Sequence, residues 1–400
     1  MYLLFLLFSV EVYGQSGDKT VNILVDMGFE NVGWNEDEKE RVYLIQNTAY
    51  RLNGIGIGKA VDVIQKSGMP DNKACRIIVL ENNIPQISLY YEPITDSIAS
   101  PQRADWDVSY DLGDTWQQAR KSKQNSSLFK VDMVVYPELG LQNVVITQIY
   151  QVVFNLSPAI EVSLWKGMKL TAQVVLPVYC DGFPDEYRKV RPNFVNVSQS
   201  FRLPYNIWGT LTVGHFNSNR YGADLQLKHR FVRDNRFGWD ARLGYTGAAV
   251  WDGFVCRYST HRIWTWSLGG YFYWPKYNIE ATAKYERYLL GETGVRVDLI
   301  RHFRYASIGF FAMKSWHVIP SKNREVSANG GFRFQVALPP YKYKRKGYIP
   351  RVTPSRNMGM AYNAGSEQYY YKSYRPTAGD NIMQSNSLNP YFIKSELLNF

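Results

Sequence analysis

Cysteine is scarce in this chain. Three Cys in 400 residues exclude a disulfide-stapled scaffold and leave at least one thiol unpaired. Long apolar runs are missing too: no stretch of 18 apolar residues occurs, so no transmembrane helix is expected in the mature chain. Charged residues are only 20% of the total, and so few charges beside so much apolar content exclude a disordered polyelectrolyte. The five histidines show neither HxxxH nor HxH spacing, so no metal site is expected. The Gly-rich GIGIG at 54–58 lacks the Lys-Ser/Thr of a phosphate loop and the spacing of a dinucleotide fingerprint. It reads as turn chemistry, and no cofactor is expected. Aromatics, by contrast, are abundant: 30 Tyr, 20 Phe and 11 Trp, in a chain of net charge +11.

The amino terminus, MYLLFLLFSVEVYGQ, reads as a signal peptide over residues 1–14. An apolar run from Leu3 to Val10 precedes a small-residue region at Tyr13-Gly14, and polar QSGDKT follows, although no Lys or Arg opens the segment. No Cys follows the apolar run, so a lipoprotein anchor is not expected there. An exported chain without a spanning helix is periplasmic, secreted or a transmembrane β-barrel. Export also argues against nucleic acid as the partner of the basic surface.

Residues 20–95 read as a small α/β domain in the order α-β-β-α-β-β. A helix is expected from Val21 to Met27, a strand over RVYLIQ (41–46), and a helix over KAVDVIQ (59–65) entered through GIGIG. CRIIVLENNIPQISLYY then reads as two strands around an Asn-Asn turn.

From about residue 128 the period changes to two. Met168, Leu170, Ala172 and Val174 alternate with Lys169, Thr171 and Gln173; Tyr221, Ala223, Leu225 and Leu227 alternate with Gly222, Asp224, Gln226 and Lys228. Similar runs start at Trp239, Trp264, Ile279 and Phe332. A soluble sandwich would bury the apolar face; a membrane barrel would turn it to lipid. Export, the strand-end tryptophans Trp165, Trp208, Trp239, Trp274 and Trp316, and an alternation of short with long connections (178–192, 250–262, 315–331) favour the barrel. The fold class expected is mainly β: a single antiparallel transmembrane barrel of 12–14 strands over 103–340. Thirteen strands can be counted, among them 143–154 and 158–165, and VSYDL (108–112) is a candidate for one more. Residues 341–400 form a basic, Tyr-rich tail with nine Lys or Arg against three Asp or Glu, read as extended.

The polar face of the alternating runs carries a mixed-sign set expected to form a polar network in the lumen. It comprises Lys169, Arg202, Lys228, Arg230, Arg242, Lys284 and Arg296 against Asp224, Asp240, Glu280, Glu286 and Asp298. Such a set either fixes strand register through ion pairs or lines a path for an anionic or sugar substrate. Cys180 and Cys256, both expected in long loops on one side, are a possible disulfide. His215 in GHFNSNRYG is the sharpest enzyme candidate. However, Ser218 lies at i+3, on the opposite face of a continued strand, where a nucleophile pair needs i and i+2. Glu280 and Glu286 stand roughly 20 Å apart along a strand, too far for paired carboxylate chemistry.

Several short motifs resemble the YjbH/GfcD-like family of exopolysaccharide and capsule proteins. They are GFENV, IQNTAYR (Ile45 to Arg51), YDLG (Tyr110 to Gly113), GHFNSNRYGADL, GYTG (Gly244 to Gly247) and VTPSRNMG. The chain has Gln46-Asn47 where the family's segment opens Glu-Asn, and it has room for one barrel where many relatives carry two. The resemblance implies an outer-membrane barrel with a small periplasmic domain and a non-enzymatic role as accessory or conduit in surface-polysaccharide export or assembly. The partners it implies are outer-membrane lipid, periplasmic export proteins and surface polysaccharide. It brings no catalytic residues. The alternatives are a general porin or uptake channel and an outer-membrane lipid hydrolase at His215.

Overall fold

The computed structural model describes residues 17–93, 101–142, 151–317, 325–363, 373–378, 383 and 386–399. The signal-peptide reading of 1–14 lies outside the described residues. The chain divides into two compact units. Unit 1 comprises residues 1–128, 339–347 and 386–400; unit 2 comprises 129–338 and 348–385.

Unit 1 is built on a five-stranded sheet, β1 (Glu30–Glu36), β2 (Glu40–Gln46), β3 (Ala74–Glu81), β4 (Ile84–Tyr91) and β5 (Asp107–Ser109), in that spatial order. A helix α1 over 17–27 precedes it. β2 and β3 are parallel, which a crossover must allow; α2 (Asn53–Ser67) supplies it. β3 turns into β4 through Asn82 and Asn83, both at positive φ, as a tight hairpin turn requires. Val42, Leu44, Ile78 and Leu80 form a buried core with Ala119 of α3 (Trp116–Ala119).

GIGIG is not a turn. It lies inside α2, which starts six residues earlier than the periodicity predicts. The reason is close packing: a Cβ at Gly56 would stand 2.5 Å from the Asn47 side chain. VSYDL is likewise no barrel strand, because its residues Val108 and Ser109 belong to β5 and pair with β4.

Arg41 meets Glu36 at 2.6 Å and Lys73 meets Glu36 at 2.9 Å. Burial works to raise the Glu36 carboxyl, yet Lys73 and Arg41 together hold it below the usual carboxylate range. A lowered folded value means that the carboxylate stabilises unit 1 above the ordinary pKa and stops doing so as pH falls through the lowered value. The stability gap between the native chain and Glu36→Gln, followed by Trp34 fluorescence during urea unfolding, should therefore be full at pH 7. It should shrink once pH drops below about 4.

Unit 2 is a large, mainly antiparallel sheet of 14 strands. Twelve follow one another as neighbours: β6 (Val131–Gln142), β7 (Gln151–Trp165), β8 (Met168–Asp181), β9 (Arg191–Leu203), β10 (Ile207–Phe216), β11 (Arg220–Arg230), β12 (Phe237–Asp252), β13 (Val255–Trp274), β14 (Ile279–Arg287), β15 (Thr293–His302), β16 (Ala306–His317) and β17 (Glu325–Ala337). The two edges are occupied by β18 (Arg351–Pro354), parallel to β6, and β19 (Asn357–Asn363), antiparallel to β17. Only Ser355 and Arg356 separate them. The Ser355 amide donates to Val135 O of β6 at 2.8 Å, and the Arg356 carbonyl accepts from Leu338, next after β17, at 3.0 Å. Adjacent residues thus bond both edges of the sheet.

Four expectations change here. The strands expected at 143–154 and 158–165 meet in one strand, β7, because Pro158 stays in register opposite Val135; residues 143–150 lie outside the described set. The connection expected at 250–262 is a continuation of the β12–β13 hairpin, in which Trp251 pairs with Cys256. Its polar RYSTHR hides the strand. The sheet's last strand comes from 351–363, beyond the expected limit of 340. Among its described residues the tail is extended only in part: it adds strands to unit 2 and ends in a helix α4 (Pro390–Leu398) in unit 1. There Asn389 caps the amides of Tyr391 and Phe392 and Pro390 takes the first helical position, a strong start signal.

Candidate functional site

The large sheet buries its polar face. On β15, Arg296 and Asp298 are 2% and 7% exposed, whereas Val295, Val297 and Leu299 are 39%, 47% and 48% exposed. The same inversion runs along its neighbours: Asp224, Thr246, Thr282 and Gln335 are buried, while Leu211, Val213, Leu243, Leu268 and Phe310 are exposed. A water-soluble sandwich does the opposite.

Most of the polar residues picked out by the sequence lie on this buried face, in separate clusters. In the first, Arg242 Nε donates to Asp224 Oδ2 at 2.7 Å. Tyr374 of the tail completes it: its hydroxyl donates to the same oxygen at 2.7 Å, its carbonyl accepts from Arg242 at 3.1 Å, and the guanidinium stands 4.3 Å over its ring. In the second, Arg230 meets Asp240 at 2.8 Å and lies 3.4 Å over the Tyr271 ring. Close by, Glu280 meets His302 at 3.3 Å, and His302 also bonds Ser307. In the third, Arg296 binds Asp298 through two hydrogen bonds of 2.6 and 2.7 Å, with Arg333 at 3.4 Å. Lys169 pairs with Glu161 at 3.1 Å, and the Tyr136 hydroxyl donates to Glu161 as well.

Arg202 stands apart. It stacks 4.9 Å over Trp208 and bonds Asn206 in the β9–β10 turn. Lys228, Lys284 and Glu286 share the buried face but form no ion pair among the described residues. Glu161 escaped the sequence reading because β7 was split at Pro158; its position on the alternate set Ser157, Ala159, Glu161 was the available signal.

Tyr374 belongs to a segment, 373–378, that lies along the polar face as a strap. Asn196 Nδ2 donates to Pro376 O at 2.9 Å, the Arg375 amide donates to Asn217, and Tyr374 stacks on Phe216 with centroids 5.5 Å apart. Gly244 makes room for it, because a Cβ there would stand 1.9 Å from the Tyr374 hydroxyl. No periodicity announces the strap. Yet GHFNSNRYGADL and GYTG, two of the motifs on which the family resemblance rests, supply its seat.

His215 does not pair with Ser218. Its Nε2 shares a hydrogen bond with the Tyr258 hydroxyl at 3.0 Å, its ring packs 5.1 Å from Trp251, and Ser218 sits in the turn at φ 56°. Cys180 and Cys256 are free thiols. Cys180 pairs with Val153 across β7–β8 and Cys256 with Trp251 across β12–β13, so each is fixed in a different hairpin with β9–β11 between them. Among the described residues, no group of His, Cys, Asp and Glu is arranged to hold a metal.

No family model and no curated protein matches the chain. Among solved structures it is similar to a loop L8 deletion mutant of OmpT, an outer membrane protein of Vibrio cholerae. That match has 9% identity and a TM-score of 0.31, and covers 52% of this chain and 88% of that one. In-vitro folded OmpT from the same organism is similar at 8% identity and TM-score 0.30, over 52% of this chain and 82% of that one.

Proposed function

We propose that unit 2 is an outer-membrane β-barrel and that the chain is a non-enzymatic accessory in export or assembly of surface polysaccharide, with unit 1 on the periplasmic side. The observation that carries the membrane reading is the inverted burial. Large apolar side chains face outward on strand after strand while carboxylates and guanidiniums face inward, and lipid is the solvent that favours this arrangement. Hydrogen bonds from Ser355 and Arg356 to opposite sheet edges support closure by a broken thirteenth strand, parallel to the first. Closure leaves no edge open in lipid.

The chain enters the sheet before β6 and leaves it after β17 at the end with the turns at 166–167, 204–206 and 303–305; the opposite end also has short turns at 217–219 and 253–254, but the longest strands, β12 and β13, extend toward it and it carries the 182–190 connection. Short turns are the periplasmic signature of such barrels. The strap and the ion pairs fill the lumen, which favours a closed barrel over a freely open porin. The polysaccharide role rests on the family resemblance.

Two measurements test the reading. The purified full chain should need detergent to stay monodisperse; a soluble monomer without detergent would falsify the membrane assignment. Deletion of the gene should alter surface-polysaccharide staining, and unchanged staining would remove the export role while leaving the fold reading intact.

A further inference from the structure

We propose that Lys228 and Lys284 form a lumenal binding site for carboxylates carried on a polysaccharide, an inference that deepens the export reading and rests on it. The strand register places Lys228 opposite Asp240, Asp240 opposite Gly269, Gly269 opposite Lys284, and Lys284 opposite Arg296. One lateral row on the inner wall therefore carries three cations and a single carboxylate.

That carboxylate is already engaged, because Arg230 binds Asp240 at 2.8 Å. The other acid nearby, Glu280, is held by His302 at 3.3 Å, and Arg296 is spent on Asp298 at 2.6 Å. Glu286, two residues along β14, makes no ion pair with either lysine. Both lysines are only partly exposed, and among the described residues neither has a hydrogen-bond or ion-pair partner.

Ammonium groups withdrawn from bulk water, with the nearby acids Asp240 and Glu280 already bound by Arg230 and His302, leave an incoming oxyanion more to gain here than at an open surface. Gly269 shapes the site. A Cβ there would stand 2.4 Å from Lys284 Cγ, so the lysine stem lies against bare backbone.

Spacing selects the ligand class. The two lysines rise from strands three separations apart, about 14 Å between backbones. That span suits carboxylates repeated along a sugar chain better than one compact anion. The strap seat at Asp224 lies four residues along β11 from Lys228, roughly 13 Å by strand rise, so the site and the strap occupy successive levels of the lumen.

The test is calorimetric titration of the detergent-solubilised full chain with a tetragalacturonate, with neutral maltotetraose and with inorganic phosphate. Tetragalacturonate should bind, at least tenfold more weakly to Lys228→Gln/Lys284→Gln and nearly unchanged to Lys228→Arg/Lys284→Arg; maltotetraose should not bind. An unchanged affinity in the double Gln variant, or no uronate binding to the native chain, overturns the site. Phosphate binding as tightly as tetragalacturonate overturns the polysaccharide assignment. Heat-shifted gel mobility confirms that each variant is folded, and Lys284→Gln alone serves if the double variant is not. Surface staining of the deletion strain is scored separately: intact uronate binding with unchanged staining removes the export role alone, whereas absent binding with altered staining removes the site alone.

Discussion

Replacing Gly244 with valine is expected to drive the strap off its seat and open the lumen of the proposed barrel. The new side chain would occupy the place of the Tyr374 hydroxyl, which stands 1.9 Å from a Cβ built at that glycine. Tyr374 would then lose its bond to Asp224 and its cation–π contact with Arg242. In planar bilayers the native chain should pass little current, and Gly244→Val should raise single-channel conductance by at least about tenfold, as expected when a filled barrel of this size is emptied. Gly270→Val is the control. Gly270 also lies in the sheet, but a Cβ there meets nothing within 4 Å, so conductance should stay at the native level. A Gly244→Val barrel as quiet as the native one would show that the strap does not close the lumen.

Removing Asp298 should destabilise unit 2 more than removing Arg296. Asp298 is gripped by Arg296 through two short bonds and approached by Arg333, and both guanidiniums share the Phe311 ring at 4.4 and 5.5 Å. Asp298→Leu would take away the carboxylate that the buried Arg296 and the partly exposed Arg333 share. The cost expected is about 3–5 kcal/mol, the usual penalty for breaking a buried pair. Arg296→Met leaves Asp298 with Arg333 and should cost less. Replacing Arg296, Asp298 and Arg333 together by apolar residues should recover most of the loss, because it is unpaired charge that is expensive. Urea unfolding in detergent micelles, read as loss of heat-shifted gel mobility, ranks the variants. Equal losses for Asp298→Leu and Arg296→Met would contradict the ordering.

Much of the large sheet was legible from alternation alone, because along each strand the buried side is polar and the outward side apolar. Asp224, Lys228, Asp240, Arg242 and Lys284 fall on one face for that reason. The same rule failed where a residue normally ends a strand but here does not. Pro158 continues β7, and RYSTHR continues β13 although it is polar on both sides. Gly54, Gly56 and Gly58 spoke for a turn, since propensity cannot see that Asn47 presses against the helix. The strap was invisible for a different reason. Tyr374, Arg375 and Pro376 have no periodic neighbours, and what positions them is the set of partners on β9 to β12, over a hundred residues earlier. Glu161 and His302 were missed as well, each being half of a pair whose other half was already in view.

The broken strand at 351–363 has a consequence for the order of assembly. The twelve hairpin-linked strands end at Ala337, but neither outer rim of that sheet has a mate until the segment from Arg351 to Asn363 arrives. One short stretch near the carboxyl end therefore acts as the clasp. In the proposed barrel the first and last hairpin-linked strands each lack a neighbour until this segment is in place, so the wall closes only with the stretch that also leads into the strap.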